Sequence, residues 1–370
     1  MILDGVITSE QKYWNTARLT VWELITSPAY LGLKDYFGNS LTSPDQVLAK
    51  GEVTISSQFI DQLKGRAINS NWDLTYFVFC LHLAGMLQQC QQLEPQEWLQ
   101  RKQDFDLSQE QGWQGLRQSL QPLPLRAEAS QGTIDQFWQE TSLTRGAAVL
   151  EHIHYFFQEY LGLTLPVCET QSELWTLCYQ NFQAWYEGHK GFSLPQDETV
   201  VAVEKIQATL EQLQGAGQFI LAIATGRPRN EVIDPLDKLG VLTYFDSQRI
   251  VTYDDVLAAE SQLTAWQPPV KLGKPHPFVL MRALHLEVEP AVYCTESFQK
   301  LDRSYAAYVG DAASDIVAAK SCGCLAVGVL TGFIPSRTQE QQRQFFYELG
   351  CDLVIDSILD LPRALGMEEK

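Results

Sequence analysis

Residues 219–224, Phe-Ile-Leu-Ala-Ile-Ala, are an unbroken apolar run that stops at Thr225-Gly226-Arg227-Pro228. That junction constrains the fold more than any other stretch. The run is too short for a buried helix, and it is apolar at both alternate positions, so it predicts a strand covered on both faces, as in a parallel sheet. The pattern then alternates. A helix is predicted after Pro228, then a short strand over 249–251, a helix over 277–284, a strand over 306–309, a helix over 315–321 and strands over 325–329 and 353–355. Apolar strands alternating with helices predict a parallel α/β sheet buried on both faces.

Several of these elements meet at polar residues. The first strand ends on Thr225, a small hydroxyl followed by a run of backbone N–H groups just before a helix, which is the arrangement of an anion cradle. Lys274 sits in Gly273-Lys274-Pro275-His276-Pro277, a cation between rigid residues at a helix start. The strand over 306–309 opens into Gly310-Asp311-Ala312-Ala313-Ser314-Asp315. Two carboxylates that close repel unless a cation neutralises them, and oxygen-only ligands suit Mg²⁺. Asp315 read alone is a helix-start residue that complements the dipole. At the other end of the chain, Ile2-Leu3-Asp4-Gly5 reads as a strand end breaking into a glycine turn with an acidic tip, where open α/β sheets place ligands.

Between these two parts the grammar is helical. Thr8 with Gln11 resembles a capping box opening a helix to about residue 25, and further helices are expected over 60–63, 72–90, 149–160 and 173–186. The aromatics of these segments recur at core spacing. Asn69 and Asn71 read as a turn and cap before Trp72, and the Gln-rich stretch 88–121 as surface helices and loops. Glycine and proline thicken around Gly188, Gly191 and Pro195, where a boundary is placed. The expected domains are residues 1–10 with 196–370, and 11–195, with hinges near 8–10 and 188–195.

A net charge of −18 over 370 residues argues against a nucleic-acid partner, which needs clustered Lys and Arg. The apolar runs are too short to span a bilayer, so no membrane partner and a cytoplasmic location are expected. Eight scattered cysteines, Cys168 and the Cys322-Gly-Cys324 pair among them, read as reduced structural thiols, and His152 with His154 points to different helix faces. Lys64, Arg66, Arg227 and Arg229 are basic groups that could meet a substrate anion, although such side chains are more often solvated.

Taken in order, Asp-Gly-Val, hydrophobic-Thr-Gly, Lys-Pro-x-Pro and Gly-Asp-x-x-x-Asp resemble the haloacid dehalogenase superfamily of phosphatases and phosphotransferases. The resemblance covers residues 3–10 and about 200–365, with Tyr244-Phe245-Asp246 and the segment 351–356 also similar. It implies an α/β fold, a Rossmann-like parallel-sheet core with a large all-α cap inserted after the first motif. Phosphoglycolate phosphatases and β-phosphoglucomutases carry a helical cap at that place, shorter than this one. The implied site has Asp4, Thr225 and Lys274 as catalytic residues, and Thr225, Gly226, Lys274 and Arg227 on the substrate phosphoryl. Asp4, through its backbone carbonyl, Asp311 and Asp315 would hold Mg²⁺. The implied activity is hydrolysis of a small phosphate monoester, a phosphorylated metabolite, through an aspartyl-phosphate.

The chain departs from the family at one position. The nucleophilic aspartate belongs two residues before Asp4, where this sequence has Ile2. An alkyl side chain forms no aspartyl-phosphate, and loss of a nucleophile removes orders of magnitude in rate. The first strand is also short, with Met1 to Leu3 before the turn. A single hypothesis covers both: Met-Ile-Leu-Asp encoded as ATG-ATT-TTA-GAT would read x-Asp-Leu-Asp after loss of one T, giving a frame-shifted or internally started product. Upstream nucleotides test it. The expectation for the chain as written is therefore a phosphatase with impaired turnover. The alternative is an inactive relative that binds a phosphorylated metabolite or a protein.

Overall fold

A computed structural model describes residues 3–38, 41–68, 70–101, 110–163, 172–195, 198–266, 270–286, 288–332 and 337–367. Ile2, Asn69 and Cys168, each singled out above, lie outside the described residues. The chain divides into two compact units, Met1–Glu10 with Asp197–Lys370, and Gln11–Gln196.

Among the described residues of the first unit, five short strands, all parallel, form two sheets. β1 (Ile223–Ala224) pairs with β2 (Ile250–Val251), and β3 (Ala307–Gly310), β4 (Leu325–Val329) and β5 (Leu353–Ile355) follow in that order. The apolar run over 219–224 thus yields a two-residue strand, shorter than expected. Its partner explains this: Ser247–Arg249 coils into a 3₁₀ turn, so only Ile250 and Val251 are extended for pairing. Single backbone bonds such as Asp246 N–H to Leu221 O hold the rest. Strands β4 and β5 match the predicted ranges to the residue. Helices Val203–Gly215, Asn230–Lys238, Phe278–Leu284 and Ala313–Cys322 each bury an apolar face against a common core that includes Leu3, Ile223, Val309 and Val327. Burial on both sides is what the continuous apolar strands required.

The segment before the first turn does not form a ladder strand among the described residues. Asp4 bridges Thr8 in parallel fashion, Thr8 bridges Thr199 in antiparallel fashion, and Ile7 and Thr8 both donate to Leu3 O at 2.9 and 3.1 Å. Thr8 is therefore backbone-paired, and the helix it was expected to cap runs Gln11–Thr26.

The second unit is all helical where described. Its centre is Asn71–Leu93, 23 residues buried on every side from Trp72 to Leu87, as expected of a helix enclosed by others. Gln11–Thr26, Ala127–Glu140, Ala147–Leu161 and Glu173–Tyr186 pack around it. Ser70, rather than Asn71, caps it, its hydroxyl accepting from Asp73 N at 3.2 Å. Gly85 lets the central helix meet Ser130 of Ala127–Glu140 closely, because a Cβ there would overlap Ser130. Arg66 is not a surface cation: its guanidinium donates to Trp138 O at 2.6 Å and to Thr141 Oγ1 at 3.1 Å. The Gln-rich stretch is less exposed than expected, since Trp98, Trp113, Leu116 and Leu120 are buried.

Candidate active site

The polar strand ends of the α/β unit collect at one place. Asp4 follows Leu3, whose side chain is buried in the core, and Gly5 turns the chain with φ +65°, a left-handed conformation that favours glycine. Its N–H donates to Thr8 O at 2.8 Å, and its carbonyl accepts from Thr331 Oγ1 at 2.6 Å. The absence of a side chain at Gly5 has a second use. A Cβ on Gly5, and equally one on Gly332, would overlap the carboxylate of Asp311. Asp311 is thus 5% exposed in a cradle made by two glycines from opposite ends of the sequence.

Thr225, fully buried, continues β1: its N–H donates to Val251 O at 3.0 Å, and its hydroxyl oxygen accepts from Arg227 N–H at 3.2 Å. That leaves the hydroxyl proton to donate. Gly226 is exposed, and a Cβ on it would meet nothing within 4 Å, so the turn after β1 has open space beside its backbone. Lys274, with its side chain 2% exposed, donates to Asp315 Oδ1 at 2.7 Å. The other Asp315 oxygen accepts from Ala312 N–H at 3.1 Å, closing the first turn of Ala313–Cys322. Asp315 is fully buried. A buried carboxylate of this kind is stable only while its cation stays.

Arg227 faces inward. Its side chain is 3% exposed, and it makes an ion pair with Asp4 while lying 3.4 Å from Thr8 Oγ1. The group expected on the substrate phosphoryl therefore holds the first motif against the second. Arg229 is also engaged, its Nη1 donating to Ile250 O at 3.2 Å. Lys64 and Arg66 belong to the helical unit, where Lys64 lies over the Trp14 ring at 6.0 Å.

Two groups escaped the sequence reading. Tyr308 on β3 is buried, and its hydroxyl donates to Ala224 O at 2.7 Å, tying the sheet of β3 to that of β1. Burial, and then the charges of Asp315 and Asp311, push its phenol well above the ordinary range. The second is Thr331-Gly332 after β4. The strand-to-Thr-Gly junction there repeats that of Ala224-Thr225-Gly226, and this repetition was the available signal. His276 beside Lys274 is held neutral: burial pushes it down to about 4, and its Nδ1 accepts from Phe278 N–H at 3.1 Å.

Residues 155–329 match the family of haloacid dehalogenase-like hydrolases. That stretch of the chain is similar to the family. The match begins within the last helices of the helical unit and runs to the end of β4, so it takes in the Thr225, Lys274 and Asp311 segments of the haloacid dehalogenase-like core. Phosphoglycolate phosphatases of Neisseria meningitidis serogroup A and Neisseria gonorrhoeae are each 29% identical over 166 and 168 residues, 45% of this chain. The matched stretch spans 55% of each relative, about half their length. A Northeast Structural Genomics Consortium crystal structure covers 98% of this chain and 96% of its own, with 26% identity and a TM-score of 0.65. The fold, a helical region with an α/β unit, is thus similar to that structure along nearly the whole length.

Among the described residues no group of three His, Cys, Asp or Glu side chains converges on one point. Asp4 turns to Arg227, which leaves Asp311 and Asp315 as side-chain ligands and the Asp4 backbone as a carbonyl. Mg²⁺ keeps several waters and is commonly bound by one or two carboxylates, so this oxygen-only set fits it. Soft metals would find no thiolate or imidazole in the set.

Proposed function

We propose that the α/β unit is a phosphatase-type site for a small phosphate monoester, a phosphorylated metabolite, in a chain whose turnover is impaired at residue 2. The convergence of Asp4, Thr225, Lys274, Asp311 and Asp315 carries this reading. Phosphoryl transfer asks for position and charge stabilisation more than for covalent chemistry. Thr225 Oγ1 and the N–H groups of the Gly226 turn would hold phosphoryl oxygens in the open space beside β1. Lys274 spends one of its three N–H donors on Asp315, and the others are available to the same oxygens. Asp311, Asp315 and the Asp4 carbonyl would hold Mg²⁺, which when bound neutralises charge on the phosphoryl group. Asp4, ion-paired with Arg227, would take the proton of the water that hydrolyses an aspartyl-phosphate.

The nucleophile is what the chain lacks, since Ile2 offers no oxygen. A second reading is an inactive relative that binds a phosphorylated metabolite, or a protein, without turning it over. The Asp4–Arg227 ion pair favours it, because the side chain expected to act as acid and base is engaged by a buried guanidinium. A panel of phosphate monoesters assayed with the parent chain and Ile2→Asp side by side separates the two. Hydrolysis that appears only in the variant supports the impaired phosphatase. Tight metabolite binding with neither chain active supports the binding protein. No helix among the described residues is long and apolar enough to cross a membrane. A cytoplasmic location, with no nucleic-acid or membrane partner, goes with this reading.

A further inference from the structure

Two strand-to-Thr-Gly junctions flank the candidate site, and their hydroxyls are used differently. Thr225 follows β1, and its oxygen accepts from Arg227 N–H at 3.2 Å, so its own proton is left to donate. Thr331 follows β4, and its hydroxyl donates to Gly5 O at 2.6 Å. The Thr331 proton is therefore committed to the first motif.

The sheet register puts Thr331 there. Gly310, the last residue of β3, pairs with Gly328 of β4, so Asp311 leaves its strand beside the end of β4. Leu330 N–H donates to Ile355 O at 3.1 Å, which holds the backbone leading into Thr331 against β5. Gly332 then lies against the Asp311 carboxylate, as Gly5 does, since a Cβ on either would overlap it. The Thr331 hydroxyl thus ties together the two segments that supply the glycine walls of Asp311.

The tie acts on a residue with little of its own to hold it. Gly5 has φ +65° and, lacking a Cβ, is the residue type with the most backbone freedom. Its N–H donates to Thr8 O at 2.8 Å and its carbonyl accepts from Thr331, so the peptide planes on both sides of it are pinned. The Asp4–Gly5 peptide is trans, which points the Asp4 carbonyl away from the Gly5 N–H. Fixing Gly5 therefore fixes the direction of the Asp4 carbonyl.

We propose that Thr331 is a positioning residue that clamps the Gly5 turn to the Gly332 segment, and so holds the Asp4 carbonyl and the Asp311 carboxylate at one spacing for the cation. This deepens the phosphatase-type reading and rests on it. The hydroxyl itself touches neither phosphoryl nor metal in this assignment. Groups that orient metal ligands from behind commonly change metal affinity by about 10- to 100-fold when removed.

The test is calorimetric titration of the full chain with Mg²⁺ alone, for the parent, Thr331→Val, Thr331→Ser and Gly332→Ala. Circular dichroism and thermal melting establish that each is folded. Valine keeps the shape and removes the donor, whereas serine keeps the donor. The expected result is Mg²⁺ affinity weaker by about tenfold or more in Thr331→Val and parental affinity in Thr331→Ser. A Thr331→Val chain that melts lower yet binds Mg²⁺ like the parent has lost a merely structural hydroxyl, which overturns the proposal. Thr331→Ser binding as weakly as Thr331→Val also overturns it, because the methyl group would then be what matters. Gly332→Ala drives a methyl into Asp311 and reports on the cation site directly. If it weakens Mg²⁺ binding while Thr331→Val does not, the cation site stands and the clamp is overturned. If the parent binds no Mg²⁺, the cation-site reading fails first and the clamp falls with it. Thr331→Ala replaces Thr331→Val if the latter does not fold. If neither folds, the hydroxyl is a folding requirement and the proposal is again overturned.

Discussion

The two units bury polar side chains in opposite ways. In the helical unit the buried groups are scattered, and many of them end on neutral acceptors. His82, Tyr36, Ser130 and Gln89 form one chain of bonds, in which His82 Nε2 lies 3.2 Å from Thr54 O and Nδ1 lies 3.2 Å from Tyr36 Oη. A carbonyl only accepts, so Nε2 carries the proton and Nδ1 takes the Tyr36 hydroxyl's. Ser130 Oγ lies 2.8 Å from that hydroxyl and accepts from Gln89 Nε2 at 2.8 Å. Arg66 and Arg18 likewise donate to backbone carbonyls. Such networks specify which helix meets which. In the α/β unit Arg303 is also buried on backbone carbonyls, but buried carboxylates with their cations gather where strands end. Asp4 with Arg227 and Asp315 with Lys274 carry opposite charges out of water at one edge, beside Asp311. Desolvating ion pairs is a poor way to gain stability. Their concentration at one edge marks a site, and the scattering in the helical unit marks a core.

The largest expected effect breaks this contrast at its strongest point. Lys274→Met strands a fully buried Asp315 and is expected to cost about 3–5 kcal/mol in denaturant unfolding. Pairing it with Asp315→Leu should recover most of that loss, because an apolar pair needs no desolvation. A double variant that is stable yet binds no Mg²⁺ would show the ion pair is kept for function. A double variant as unstable as the single one would show it is kept for the fold.

The next effect belongs to the helical unit and to pH. Burial pushes His82 down to about 4, so it is neutral in the folded chain. Below about pH 6.5 the unfolded chain takes up a proton that the folded chain refuses until about pH 4. Stability should therefore be flat above that window and fall through it, by roughly 3 kcal/mol at its lower end. His276 contributes a slope of the same sign. His82→Phe should flatten the curve in part, as read by urea unfolding from pH 7 to pH 4.5. An unchanged slope would contradict the neutral network.

The smallest of these effects tests pure packing. Gly85→Ala would drive a methyl into Ser130 and is expected to cost about 1–3 kcal/mol in melting, with Mg²⁺ binding untouched. A shift in Mg²⁺ affinity would erase the distinction between the units.

The contrast also explains what the sequence made legible. Apolar runs and the polar residues that end them are local, so β4, β5, the Gly-Asp-x-x-x-Asp turn and the helical character of the insert could be read directly. The pairings could not. Arg227 and Asp4 stand 223 residues apart, and Tyr36, His82 and Ser130 are brought together by three separate segments. No periodicity encodes such meetings, because either partner alone looks like an ordinary surface or core residue. Arg227 shows the effect well: its place after Thr225-Gly226 suggested a substrate group, and its fold neighbour is the first motif. The shortness of β1 was hidden for the same reason, since the 3₁₀ turn of Ser247–Arg249 limits it from the partner side.

On the proposed function, this edge is a phosphatase-type site short of one oxygen. The direct measurement is the initial rate of p-nitrophenyl phosphate hydrolysis in Mg²⁺ by Ile2→Asp relative to the parent chain. Restoring the nucleophile is expected to raise the rate by at least about a thousandfold, and Asp311→Asn in the same background should abolish the gain. A folded Ile2→Asp chain that binds Mg²⁺ and hydrolyses no faster than the parent would contradict it.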